Sequence, residues 1–412
     1  MSDIRSLDEA DLPEYARIAF NAYPRFELVS IENVLERLNS ISKRSWAHVF
    51  GVFRESEMLG GMIFYDFTMN FLGIKTLMGG VGFVAVDLVH KKEKVARDML
   101  SFFHDYFLEK GAFVTSLYPF RPDFYKRMGY GLSVKENKYR INTFQVPHGK
   151  TKEHIRYVKP DEKDELTQCY NRFFEKTHGM CARTEHHFEY VLKSKGMNVV
   201  VYADTGKIKG YLIFTFKSLE NEADSLVDLV INELVYENAE VLEELLTFIH
   251  NQEDQVLCVN ITTQDENLHY LFHDPRQTDS GLFPSFHNDI NTQSANMMYR
   301  ILSINKMFEA LKDWDFNGQT CRLKLTIRDS FLAENDGSTI LHFINGKLSQ
   351  ANETYDVEMS VDISEFSALA IGAVNVRSLY NFGKIKLSDA QYLDVIDNIF
   401  RVPSKPICLT DF

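Results

Sequence analysis

The chain has 412 residues, 45% of them hydrophobic, and 58 acidic against 45 basic side chains give a formal net charge of -13. That length favours two to three domains over one core, and the acidic balance excludes a general nucleic-acid binder, which needs a basic face to neutralise phosphates; a cationic small substrate suits it better. Five scattered cysteines without a C-x-x-C pair exclude a disulfide framework or a zinc site, and no segment approaches about 18 uninterrupted apolar residues. With an acidic start that lacks an apolar signal region, the expectation is a cytoplasmic chain that does not span or bind a membrane, with no metal.

In chain order, Ser6 followed by Glu9 has the spacing of a capping box, and Leu7, Leu12, Tyr15, Ala16, Ile18 and Ala19 predict a helix after it. Residues 46–54 and 59–67 flank the polar Glu55-Ser56-Glu57 and read as a hairpin. After Gly79-Gly80, the apolar run Val81 to Val86 suits a strand buried on both faces. A basic turn, His90-Lys91-Lys92-Glu93-Lys94, leads from it into a helical pattern over 96–108. This order of strand, basic turn and helix is suited to holding a pyrophosphate against free backbone N–H groups. A further strand is expected over 112–118, followed by FYKRMGYG at Phe124 to Gly131.

The chain then repeats itself weakly. The opening helix pattern recurs as KPDEKDELTQCYNRFFEKT from Lys159, the hairpin as NVVVYADTGKIKGYLIFTF from Asn198, and strand plus helix as LVINELVYENAEVLEELLTFI from Leu229. In the second copy the turn is acidic and short, Tyr236 to Glu240, and an acidic turn cannot cradle a phosphate. From about Met298 the pattern changes. Ile301, Ile304, Met307, Phe308 and Leu311 predict a helix, and Leu323, Leu325 and Ile327 alternate as a strand. Further strands are expected at 339–343 and 357–363, with a tight turn at Asn345-Gly346 and a last helix over 391–400. Pro403 and Pro406 keep the final residues, to Asp411 and Phe412, extended. The expected fold class is a multidomain α/β and α+β chain, with boundaries near 150 and 290.

Residues 81–100 resemble the acetyl-CoA-binding motif of the GNAT N-acetyltransferases, R/Q-x-x-G-x-G/A. The resemblance implies acetyl-CoA as co-substrate, Val84 and Val86 pairing with its pantetheine arm, and Lys91, Lys92, Lys94, Val95 and Ala96 forming the phosphate turn. Lys94 stands where the family has glycine. FYKRMGYG resembles the family's Y-x-x-x-G-Y/F segment, which makes Tyr125 the acid that protonates the leaving thiolate. The whole chain resembles the Eis (enhanced intracellular survival) acetyltransferases. This implies two tandem GNAT folds, the second degenerate, and a sterol-carrier-protein-like domain, over 1–150, 151–290 and 291–412. It also implies that the α-carboxylate of Phe412 acts as general base, that Asp411 lines the amine pocket, and that the chain forms homo-oligomers, hexamers among them. Glu27 is a further candidate for binding the acceptor, a primary amine of an aminoglycoside-like molecule or polyamine, or a lysine side chain. A second class stays open, an apolar-ligand carrier with structural GNAT units. The basic turn separates the two, since a purely structural pair has no reason to keep it in one copy alone.

Overall fold

The computed structural model describes residues 3–24, 30–218, 226–277, 288–349 and 353–412. In chain order the first elements are β1 (Asp3–Ser6), α1 (Leu12–Ala22), α2 (Ile31–Ser42), β2 (Ala47–Arg54), β3 (Glu57–Phe71) and β4 (Ile74–Val86). They are followed by α3 (Val95–Glu109), β5 (Val114–Leu117), α4 (Pro122–Lys126) and β6 (Gly131–Leu132). The expected capping box at Ser6 is not formed. Ser6 ends β1, paired with Phe50 of β2, and α1 starts only at Leu12 after Asp11. Pro13 accounts for this, because proline is accepted in a first helical turn but would break a helix that had begun at Leu7.

The second group comprises β7 (Lys135–Asn142), β8 (Ile155–Tyr157), α5 (Lys163–Lys176), α6 (Glu185–Lys193), β9 (Asn198–Asp204), β10 (Lys207–Ser218), β11 (Val227–Tyr236), α7 (Ala239–His250), β12 (Val256–Thr263) and β13 (Thr292–Ala295). The chain continues with β14 (Met298–Ile301), α8 (Ile304–Ala310), β15 (Cys321–Arg328), β16 (Gly337–Ile344), β17 (Lys347–Ser349), β18 (Val357–Asp362), α9 (Ile363–Ala370), α10 (Val376–Asn381), β19 (Ile385–Leu387) and α11 (Leu393–Ile399).

Among the described residues these strands form three sheets, ordered β1-β2-β3-β4-β5-β14-β6, β13-β7-β12-β11-β10-β9-β8 and β17-β16-β15-β18-β19. The chain divides into two compact units. One holds residues 1–133, 297–405 and 410–412, the other 134–296 and 406–409. The change of sheet thus falls at residues 133/134 and 296/297, against expected boundaries near 150 and 290. Met298 to Ile301, the last of which opens the expected helical stretch, is a strand wedged between β5 and β6. The helix it was expected to join starts at Ile304. Asn345 and Gly346 both have positive φ, 48° and 78°, the geometry of the predicted tight turn.

In the first unit, α3 lays Val95, Met99, Leu100, Phe103 and Phe107 on the sheet, packed with Phe50, Phe64 and Val81 of β2, β3 and β4. Each such side chain contributes about 1.5–3 kcal/mol on burial, so this face holds the helix start in place against the end of β4. His104 lies on the same helix, fully buried. Its Nε2 is 2.9 Å from the Tyr130 hydroxyl, and the Phe331 ring meets it edge-on. Burial, with a smaller contribution from Arg300, holds its pKa well below the ordinary histidine value. The folded protein therefore keeps His104 neutral while the unfolded chain takes up a proton below about pH 6.5, so this contribution to stability is complete above that pH. Below it, stability is lost at up to about 1.4 kcal/mol per pH unit. Denaturation between pH 7.5 and 5.5 is expected to show a flatter pH slope for His104→Gln than for the wild type; identical slopes would exclude His104 as the cause.

The third sheet is lined by Leu323, Leu325, Ile327, Phe343, Met359 and Val361, all buried. Phe366, Leu369, Ile396 and Ile399 of α9 and α11 are buried as well.

Candidate functional site

β4 is the strand on which the site is built. It pairs with β5 in parallel only at 78–80 against 114–116, so residues 81–86 have, among the described residues, no strand on that side. The register with β3 slips between Gly61 and Ile63, and there Phe83 takes a left-handed φ of 52°. A bulge of this kind re-aims a strand and unpairs its backbone groups. Two tyrosines of the first helical segment meet the carbonyls: the Tyr15 hydroxyl donates to Phe83 O at 2.6 Å and that of Tyr23 to Val84 O at 2.7 Å. The Tyr23 ring also stacks on Phe83, centroids 5.4 Å apart. Val84 therefore has its carbonyl engaged from within the chain, and Val86 closes the strand opposite Gly60.

The basic turn follows. Lys92 and Lys94 both have positive φ, 70° and 67°, and Lys94 is the N-cap of α3. This is a conformation that glycine adopts freely and that costs an L-residue about 1–2 kcal/mol. Lysine has no acceptor atom, so the first turn of α3 carries no side-chain cap. Val95 is buried beneath it and Ala96 half-buried. The turn's one acid, Glu93, is taken by Arg54 at 2.9 Å and by His90. Lys91, Lys92 and Lys94 are exposed, and among the described residues none of them forms an ion pair. The corresponding helix of the repeat is built the opposite way. Asn238 caps α7, its side chain accepting from Val241 N at 3.0 Å, and so occupies one of the N–H groups that an anion would need. An uncapped helix start with unpaired cations fits a pyrophosphate; a capped one behind an acidic turn does not.

Tyr125 lies on α4 and is 4% exposed. Phe120, Phe124 and Tyr130 meet its ring edge-on, and its hydroxyl has no hydrogen-bond partner among the described residues. Burial, and behind it the neighbouring Tyr23 and Tyr130, raises its pKa above the ordinary phenol value.

The chain terminus comes to the same strand. The Phe412 ring packs on Phe67, Tyr118 and Tyr65, with centroids 4.9, 5.3 and 5.6 Å away. Its carboxyl group lies so close to Gly82 that a Cβ there would stand 3.1 Å from the carboxyl carbon. Glycine at 82 is what lets the terminus lie against β4. The Tyr118 hydroxyl reaches Thr410 O at 3.1 Å and Asp411 Oδ1 at 3.2 Å, which leaves Asp411 tethered yet exposed. Upstream, Ile407 and Leu409 pack into the core of the second unit, where Cys408 exchanges two backbone hydrogen bonds with the Gln264 amide. Arg37 lies over the Phe83 ring at 5.5 Å and Arg44 over Trp46 at 5.2 Å. Burial pushes the Tyr65 pKa up to about 12 against the pull of these two arginines.

Of the residues singled out from sequence, Val84, Val86, Lys91, Lys92, Lys94, Val95 and Ala96 thus follow one another along β4 and into α3. Phe412 stands over the same strand at Gly82, with Asp411 beside it. Tyr125 is on α4, near Tyr23. Glu27 lies outside the described residues. Sequence reasoning missed Tyr15, Tyr65, Phe67, Tyr118 and the bulge at Phe83; the one available signal was the glycine-rich run Gly79-Gly80 and Gly82, which marks close approach of another group to a strand.

Residues 3–133 match an acetyltransferase (GNAT) domain family, residues 179–301 a second GNAT domain family, and residues 307–409 the sterol carrier protein domain family. The chain is a GNAT acetyltransferase. No curated protein matches its sequence. Solved structures match this acetyltransferase over its entire length. A GCN5-related N-acetyltransferase from Anabaena variabilis has a TM-score of 0.82 and 19% identity, covering 100% of both chains. One from Kribbella flavida has 0.79 and 15%, covering 100% of this chain and 98% of the other. Eis1 from Mycobacterium abscessus has 0.77 and 18%, covering 100% of both. At such identities the likeness is one of fold: two GNAT domains and then a sterol-carrier-like domain. Among the described residues no helix is long and apolar enough to cross a membrane.

Proposed function

We propose that the acetyltransferase moves the acetyl group of acetyl-CoA directly to a primary amine, with Phe412 and Tyr125 as its base and acid. The observation that carries this reading is the Phe412 carboxyl group lying against Gly82, on the stretch of β4 that has parted from β5. Acetyl-CoA supplies the acetyl group as a thioester. Lys91, Lys92 and Lys94 attract its pyrophosphate to the uncapped start of α3, and Val84 and Val86 flank the pantetheine path. The Phe412 carboxylate accepts a proton from the acceptor's ammonium, directly or through a water, so that the neutral amine attacks the thioester, and Tyr125 donates one to the departing thiolate. Much of the rate comes from positioning.

Asp411 and the terminal carboxylate draw a cationic acceptor. Arg37 and Arg44, near enough to Tyr65 to pull on its hydroxyl, favour a lysine-like amine or a small diamine over a densely charged aminoglycoside. Assembly into a homo-oligomer, a hexamer by the Eis resemblance, belongs to the same reading, as does a cytoplasmic location.

A thiol-release assay with acetyl-CoA against a panel of amines tests donor and acceptor together. Turnover with a primary amine is expected, rising from pH 6 to 9 as the neutral amine accumulates. No alkaline fall is expected below about pH 10, because Tyr125 holds its proton beyond the ordinary phenol range. Calorimetry that detected a bound lipid but no bound CoA would favour the apolar-ligand carrier instead.

A further inference from the structure

A groove of about 880 Å³ in the first unit is walled by the first turn of α3, by α4 and the residues after it, and by the sterol-carrier-like domain at 328–331, 362–365 and 383–384. It begins one residue beyond the phosphate turn, at Arg97. Each acid on its wall is already engaged. Asp329 pairs with Arg300 at 2.7 Å, Glu365 with Lys126 at 2.6 Å, and Asp123 with Arg121 at 2.7 Å. Asp362 caps α9 through Ser364 N at 3.0 Å. Three cations remain. Arg97 lies over the Phe331 ring at 5.6 Å, and neither it nor Arg328 nor Lys384 has an ion-pair partner among the described residues. All three are exposed.

A groove in which three of the four acids are ion-paired, the fourth caps a helix and three cations stay unpaired favours an anion. In coenzyme A the pyrophosphate continues directly into a ribose that carries a 3′-phosphate, and a pyrophosphate held at Lys91 to Ala96 would direct that phosphate toward Arg97. We propose that Arg328 and Lys384 of the sterol-carrier-like domain, together with Arg97, hold the 3′-phosphate of coenzyme A, so that the third domain completes the donor site of the first. The inference rests on the reading of the first domain as acetyl-CoA-dependent.

Calorimetry of the full-length protein with CoA and with 3′-dephospho-CoA, at one fixed ionic strength, tests it without need of the acceptor. The wild type is expected to bind CoA about tenfold to a hundredfold more tightly than the dephospho form, the difference that charge-assisted contacts supply. Arg328→Ala/Lys384→Ala is expected to bind the two forms nearly alike. Equal affinities in the wild type, or a double variant that keeps the full preference, would overturn the assignment. Failure to bind either form would instead overturn the acetyl-CoA reading beneath it.

Discussion

Removal of Phe412 is expected to lower kcat about 10²- to 10³-fold, the range of one lost acid–base group. The shortened chain still ends in a carboxylate, but that of Asp411 lies about 3.5 Å further back along the chain. It also lacks the ring that Tyr65, Phe67 and Tyr118 hold over β4. Adding one glycine after Phe412 makes the complementary change, keeping the ring and displacing the charge, and a similar loss is expected. Tyr125→Phe is expected to cost kcat about a hundredfold while leaving the melting temperature unchanged. Its hydroxyl has no partner among the described residues, so its removal breaks no hydrogen bond, and the ring contacts persist. Steady-state kinetics with the best amine of the panel, alongside thermal melts, checks all three. Full turnover in both the shortened chain and Tyr125→Phe would show that the base and acid lie elsewhere.

Asp329→Ala is expected to destabilise the first unit by about 3–5 kcal/mol, the cost of leaving a buried charge unpaired. Arg300, on β14, is fully buried, and its Nη2 meets Asp329 Oδ2 at 2.7 Å, with both side chains closed to solvent. Its other arm donates to Met128 O. Asp329 also accepts from the backbone N–H groups of Phe331 and Leu332, each at 3.0 Å, so alanine would orphan these donors too. Gly129→Ala attacks the same pair from the other side. A Cβ there would fall 1.4 Å from Arg300 Nη1, at a φ of 84° that favours glycine. Urea denaturation measures both, and a loss under about 1 kcal/mol for Asp329→Ala would mean that water replaces the missing partner. Because Arg300 and Gly129 sit between α4 and the sterol-carrier-like domain, either variant is also expected to weaken CoA binding.

What could be read in the sequence was local. The apolar run Val81 to Val86, the basic turn and the helical face Val95, Met99, Phe103 and Phe107 each follow from neighbouring residues. So do the contrast between Lys91 to Lys94 and the acidic turn of the repeat, and the Asn345-Gly346 turn. Hydrophobic periodicity and turn chemistry act over a few residues and survive without knowledge of partners. Ser6 shows where local reasoning fails, since a capping spacing carries no force once Pro13 and pairing with β2 claim the backbone differently.

The tertiary structure alone decided the rest, because each remaining choice is between partners far apart in the chain. Only in the fold does Met298 to Ile301 become a strand between β5 and β6, do Tyr15 and Tyr23 satisfy the carbonyls that the bulge at Phe83 frees, and does Lys94 take the glycine conformation. The last residue meets Gly82 across more than three hundred positions for the same reason: where β4 has parted from β5, with no Cβ at 82, a chain end can lie against the strand with its ring held by Tyr65, Phe67 and Tyr118.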